Sequence, residues 1–314
     1  MEIVERLLKG DAGAAARLIS MAEDEDPRAV KALSALHAHT GKAQIIGVTG
    51  PPGAGKSTVI DQAVKVYRKK GCKVGILAID PTSPFTGGAI LGDRIRMQQH
   101  STDPGVFIRS MGTRGWTGGL SKGTASAIKI LDALGMDPII VETVGAGQSE
   151  VEIVRSAHSV LIVEVPGLGD DIQAFKAGIL EIGDVFVVNK ADREGADKAV
   201  AELRAMLETC QEPRAWAPPV LKASARDGAG IGEVVDALDS HFAFIKQSGA
   251  KDLKDRASAE REFMEVLRDR LAKYITEKVV RKGEFDALVE RILRRQLDPY
   301  SAAEKLLEPI EKGK

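Results

Sequence analysis

The chain has little cysteine. Cys72 and Cys210 are the two in 314 residues, far apart and with no metal-type pairing, so a reduced, intracellular protein is the simplest reading. Charge of one sign is missing as well: Lys plus Arg is 44 against 45 for Asp plus Glu, a net charge of -1, and nothing global argues for nucleic acid or an anionic membrane as a partner. No apolar run approaches the ~20 residues that cross a bilayer. The opening "MEIVERLLKGD" carries Glu2 and Glu5 and lacks both the apolar core of a secretory signal and the Arg-rich, acid-poor character of a transit peptide. The expectation is a cytoplasmic protein. The five histidines, His37, His39, His100, His158 and His241, do not cluster; His37 and His39 are expected on a helix, where i and i+2 face apart. Internal repeats and low-complexity tracts are absent too.

What is present is an alternation of short β-branched runs with longer helical patterns. Strands are predicted at 43–50, 73–80, 105–111, 137–143, 158–165, 183–190 and 218–224, mostly as nearly continuous apolar runs, as in parallel strands covered on both faces. Helices are predicted between them, at 57–70, 121–134, 171–181, 196–210 and 231–245. The fold class expected is α/β, a mostly parallel central sheet with crossover helices. Residues 1–40 form an apolar-periodic helical extension broken at "GDAG" and "EDEDP", residues 41–250 the sheet domain, and residues 251–314 a region of charged amphipathic helices.

The first motif is Gly50-Pro51-Pro52-Gly53-Ala54-Gly55-Lys56-Ser57, a complete G-x-x-x-x-G-K-S followed by Thr58. Its glycines let backbone N–H groups point at phosphate oxygens, Lys56 reaches the β- and γ-phosphates, and Ser57 can ligate Mg²⁺. It sits between a strand and a helix N-terminus, whose dipole favours anions. An ordinary Gly-rich turn is the alternative. The second motif, Asn189-Lys190-Ala191-Asp192, stands at the end of a strand. A carboxylate there can accept the two N–H groups of guanine's Watson–Crick edge, a donor pair that adenine lacks. By itself it could be a strand-end turn with a solvated Asp. Downstream of a P-loop, and followed by "SARDGAG", in which Ser224 and Ala225 could back the same base, it reads as a guanine site.

The third set is acidic: Asp80 ends a strand in "AIDPTSP", Asp93 lies in "GGAILGDRIRM", and Glu142 ends a strand in "IIVETVGAGQSE". Carboxylates so placed hold Mg²⁺ directly or through its waters. Glu142-Thr143-Val144-Gly145 has the spacing of the D-x-x-G switch with Glu for Asp, and Gly145 is placed to offer its N–H to a γ-phosphate. Helix capping or a solvated loop is the alternative for each acid. Asp80 and Glu142 are favoured because ligands of open α/β sheets gather at strand ends.

Together, "TGPPGAGKST", "AIDPTSPFTGGAILGDRIRM", "FIRSMGTRGWTGGLS", "IIVETVGAGQSE", "VPGLGDDIQAFKAGILEIGDVFVVNKAD" and "DPYSAAEKLL" resemble the MeaB/ArgK/MMAA-type GTPases, from about residue 7 to about residue 310. The resemblance implies a G-protein chaperone, using GTP/GDP and Mg²⁺, that guards loading of adenosylcobalamin into a cobalamin-dependent acyl-CoA mutase such as methylmalonyl-CoA mutase. It further implies a cobalamin adenosyltransferase as an additional partner and a homodimer made by the C-terminal helices. It places Gly50 to Thr58 at the phosphates, Ser57, Asp80, Asp93 and Glu142 at the metal, and Asn189, Lys190 and Asp192 at guanine. Lys56, Asp80, Asp93 and Glu142 are then the catalytic set. The loop with Asp170, Gln173 and Lys176 would relay nucleotide state to the mutase. Thr117 and Ala146 depart from the usual Leu and Val, which bears on the choice of mutase rather than on nucleotide binding.

Two other readings stay open at this level. A P-loop kinase would need an acceptor site and a base near the γ-phosphate, and no motif identifies either. A nickel-insertion GTPase is disfavoured by the missing His or Cys cluster.

Overall fold

The computed structural model describes residues 2–80, 98–100, 102–112, 122–143, 156–167, 180–209, 215–275 and 283–311; the side chains of Asp80, Gln98 and Lys122 and those of 309–311 lie outside the description. The predicted helix at 171–181 falls mostly outside the described residues. The chain divides into two compact units, residues 1–254 and 255–314.

In the first unit, seven described strands form one sheet: β1 (Ile45–Thr49), β2 (Val74–Asp80), β3 (Val106–Gly112), β4 (Ile139–Thr143), β5 (Ser159–Glu164), β6 (Val185–Val188) and β7 (Val220–Lys222). Their order is β3-β2-β4-β1-β5-β6-β7, and every pairing is parallel. All seven lie within the predicted runs or no more than a residue beyond them. β1 is central: the chain moves from it to β2 and β3, returns to β4 beside it, then continues on its other side with β5. A ligand crevice is expected outside the carboxyl ends at such a reversal.

Alternation along the strands splits the core. Ile46 and Val48 of β1, Ile140 of β4 and Leu161 and Val163 of β5 pack with α4 (Lys56–Lys69) and α7 (Ile231–Gln247). Ile139 and Val141 of β4 and Phe107 and Met111 of β3 face the other way, toward α5 (Lys122–Ala133) and the N-terminal helices α1 (Glu2–Leu8), α2 (Ala12–Glu23) and α3 (Pro27–Leu36). Val160 and Ile162 of β5 and Phe186 of β6 pack with α6 (Ala196–Thr209). The two N-terminal breaks read from sequence are real helix ends, and Asp11 and Asp26 cap α2 and α3 by accepting from Ala14 N and Arg28 N. Leu7, Leu18, Ile19 and Leu36 are fully buried, each worth ~1.5–3 kcal/mol on transfer from water, so the N-terminal helices share the sheet's core. His37 and His39 occupy an exposed 3₁₀ turn rather than an α-helix.

At the amino edge of the sheet, Ser159 Oγ lies 2.8 Å from His241 Nδ1, while His241 Nε2 lies 3.3 Å from Asp184 Oδ1. Both Ser159 and His241 are buried, and Trp216 rests on the imidazole. Burial pushes the His241 imidazole below its usual value, with Asp184 opposing and Lys254 adding to the depression.

The second unit holds the rest of α8 (Ala250–Tyr274), which begins in the first unit, with α9 (Glu284–Leu293) and α10 (Pro299–Glu311). Among its described apolar side chains, only Leu288 and Ala302 are buried; Phe263 is 66% exposed, Leu271 50% and Tyr274 56%. No described helix is long and apolar enough to cross a membrane.

Candidate functional site

β1 ends in the glycine-rich loop, and the local reasons for its residues are visible. Gly50 has φ +142°, and a Cβ there would collide with Val163 O of β5, so the loop can leave the sheet this closely only as glycine. Gly55, the N-cap of α4, has φ +88°, and a Cβ on it would press on Asn189 Nδ2. Gly55 supplies no side-chain acceptor to the first turn of α4, so the helix dipole and those N–H groups favour an anion.

Lys56 is buried, and its Nζ donates to Gly50 O (2.9 Å) and Pro51 O (3.1 Å) of the loop itself. Beside it, Ser57 Oγ donates to Glu142 Oε1 at 2.7 Å, with both residues buried. The parallel register that sets Val48 opposite Glu142 brings the two together. A buried carboxylate and a hydroxyl next to an anion-binding loop suit a small hard cation, since Mg²⁺ takes one or two protein oxygens and completes its shell with phosphate and water. Mg²⁺ therefore fits Ser57 and Glu142. Asp80 ends β2, the strand next to β4, and its backbone reaches the same edge. Asp93, Gly145, Asp170, Gln173 and Lys176 lie outside the described residues, as do Thr117 and Ala146. Pro52 and Gly53 of the loop and Thr58 in the first turn of α4 are exposed.

The N-K-x-D segment follows β6 and meets this loop directly. Asn189 Nδ2 donates to Ala54 O at 2.8 Å, and Asn189 Oδ1 accepts from Ala225 N at 3.0 Å. Lys190, at φ +57°, sends its Nζ to Gly53 O at 2.8 Å. Asn189 thus ties the phosphate loop to the loop after β7, and Lys190 braces its outer turn, while Asp192 is exposed. Ser224 and Ala225 are buried just past β7, in a turn closed by Ser224 N to Ala229 O at 2.9 Å. The N–H of Ala229 also holds the Asp227 carboxyl below the usual carboxylate range.

The structure brings Lys56, Ser57, Glu142, Asn189, Lys190 and Ala225 into one connected set. Sequence reading missed the bracing by Asn189 and Lys190, and it missed Asp61. That residue is a buried acid among the buried apolar positions of α4, Val59, Ile60, Ala63 and Val64, and an acid on an apolar face is a readable signal. Among the described residues, no group of three or more His, Cys, Asp or Glu is placed to hold a metal ion.

A parallel sheet with its phosphate loop on the central strand and an N-K-x-D segment docked on that loop defines a P-loop GTPase. The chain belongs to the family described as "Methylmalonyl Co-A mutase-associated GTPase MeaB", whose profile matches residues 15–280. It is 50% identical to a putative GTPase of Pyrococcus abyssi over 99% of this chain and 97% of that one. It is 32% identical to the mitochondrial methylmalonic aciduria type A homolog of Mus musculus over 85% of this chain and 65% of the relative. Among solved structures, a "LAO/AO transport system kinase" superposes with a TM-score of 0.71 at 25% identity, covering 99% of this chain and 97% of that one. The protein is a GTPase.

Proposed function

We propose that the protein is a GTP-driven chaperone of a cobalamin-dependent acyl-CoA mutase, gating adenosylcobalamin loading and protecting or reactivating the mutase. The observation that carries this reading is topological. Every described strand pairs parallel to its neighbours, so the long connections after β2, β3, β4 and β5 all leave from the edge that carries the phosphate loop. A change at the γ-phosphate would thus be felt by several connections at once, as a signalling protein requires. The family's description supports a mutase as the receiver.

In this reading Gly50 to Thr58 hold the phosphates, Asp192 reads guanine, and Ser224 and Ala225 back the base. Ser57 and Glu142, with Asp80 and Asp93, hold Mg²⁺, which when bound neutralises charge developing on the phosphates. Lys56 contributes a fixed positive charge at the same oxygens, so positioning and electrostatics supply most of the catalysis. Residues 41–250 act as the GTPase domain, with 1–40 as its helical extension. Residues 251–314 act as a dimerisation region, because Phe263, Leu267, Leu271 and Tyr274 recur at helical spacing on an exposed face.

Kinase activity, the reading suggested by the name of the solved relative, differs in the fate of the γ-phosphate. With γ-labelled GTP, release of free phosphate alone supports the chaperone reading, whereas label on an added acceptor contradicts it. Gel filtration with a cobalamin-dependent mutase should give a complex whose amount depends on the nucleotide. No complex under any nucleotide would remove the mutase from the reading.

A further inference from the structure

Two buried hydroxyls stand at the phosphate-loop edge of the sheet without a hydrogen-bond partner. Thr49, the last residue of β1, is 0% exposed and Thr143, the last of β4, is 1% exposed, and neither Oγ1 makes a hydrogen bond. Thr49 directly precedes Gly50 of the phosphate loop, and Thr143 directly follows Glu142. The parallel register that sets Val48 opposite Glu142 makes the two threonines neighbours one step further on. Successive side chains of a strand point to opposite faces, so both threonines turn away from α4, which packs on Val48 and bonds Glu142 through Ser57.

Their row across the sheet is otherwise apolar. Register puts Ile79 of β2 beside Thr143 and Ile162 of β5 beside Thr49, and both isoleucines are buried. Valine has the shape of threonine and would fill either position without an orphaned hydroxyl. A buried hydroxyl that lacks a partner lowers stability, so the pair weakens the sheet where the phosphate loop and Glu142 depart from it. Buried polar groups in folded proteins are almost always paired, and an orphaned couple beside a ligand-binding loop marks a function rather than a packing choice.

We propose that Thr49 and Thr143 are positioning residues for nucleotide binding, whose hydroxyls bond to one another in the nucleotide-bound protein and so fix the start of the phosphate loop relative to Glu142. A hydroxyl both donates and accepts, so one bond serves the two. Part of the affinity for nucleotide then comes from the strand ends, because the ligand favours the arrangement in which that bond is made. The proposal rests on the reading of Gly50 to Thr58 as the phosphate site.

The test uses full-length protein with Thr49→Val, Thr143→Val, the two changes together, and Thr49→Ser and Thr143→Ser, which keep the hydroxyl. Tm without nucleotide is measured beside affinity for a non-hydrolysable GTP analogue and for GDP. Each valine variant should hold or raise Tm, since it removes a hydroxyl that has no partner, yet bind both nucleotides about threefold or more weakly. The double change should weaken binding no more than the worse single one, because either substitution already abolishes the shared bond. The serine variants should lose Tm with the buried methyl but keep affinity within about twofold. Wild-type affinity in both valine variants would overturn the proposal, as would additive losses in the double variant. A valine variant that lowers Tm together with affinity would also overturn it, by assigning the hydroxyl a purely structural bond. The reading beneath it fails separately: Lys56→Ala with wild-type nucleotide affinity would show that the loop is not the phosphate site.

Discussion

Ser57 Oγ and Glu142 Oε1 are 2.7 Å apart, a buried hydrogen bond between the first turn of the P-loop helix and the last residues of β4. It joins the element that would bind phosphate to the strand end from which a switch would depart. Glu142→Gln keeps the shape but removes the charge that a divalent ion needs. Mg²⁺-dependent hydrolysis should fall about 10–100-fold, with GDP affinity much less affected. Equal losses for GDP and GTP in titrations would point to a structural role for Glu142.

Lys56 is buried against Gly50 O and Pro51 O, not within the apolar core. Lys56→Ala should therefore leave the circular dichroism spectrum intact while lowering turnover about 100-fold or more. Wild-type turnover in the folded variant would remove the loop from the active site.

Asp192 is exposed at the end of a segment whose neighbours are fixed by Asn189 and Lys190. Asp192→Asn replaces an acceptor by an amide donor, which disfavours guanine's N–H edge and suits the extra carbonyl of xanthine. Preference should move from GTP toward XTP by ~1–3 kcal/mol. Competition binding of GTP, ATP and XTP checks this, and an unaltered GTP preference would show that Asp192 does not read the base.

The burial of His241 predicts a pH dependence of stability with a definite sign. Its imidazole is depressed by burial, so the unfolded chain takes up the proton first. The stability it contributes is fully present above the ordinary value of about 6.5 and is lost as pH falls from there toward the folded-state value. Urea unfolding at a series of pH values should show this decline, and His241→Gln should flatten it. An identical slope in the variant would assign the pH dependence to other groups.

The exposed face of α8 should bind a second copy of the chain. Phe263→Glu with Leu271→Glu places charges where the apolar stripe would meet its partner, and sedimentation should change from dimer to monomer without loss of GTP hydrolysis per chain. A variant that remains dimeric would move the interface elsewhere.

Much of this was legible in the sequence because the relevant signals are local. Apolar runs such as "SVLIVE" report a strand covered on both sides, and Gly50 to Ser57 report a loop whose backbone must approach a ligand. Asn189 and Ala225 were each singled out, yet not their bond to one another, because that bond spans 36 positions and depends on how β6 and β7 pair. Asp61 was passed over for the same reason: its partners, Gln99 and His100, come from beyond the next strand, and no spacing rule connects them. The placement of residues 1–40 was equally hidden. Amphipathic helices announce that they must be buried, not on which surface, and here α2 lies on α5.

The most direct test of the central claim is the steady-state GTPase rate of the purified protein with and without a cobalamin-dependent acyl-CoA mutase, at matched Mg²⁺. Slow intrinsic turnover should rise about tenfold or more when the mutase is added, as expected when a partner completes a P-loop site. A rate that is the same with every such mutase, in protein that hydrolyses GTP by itself, would contradict the account.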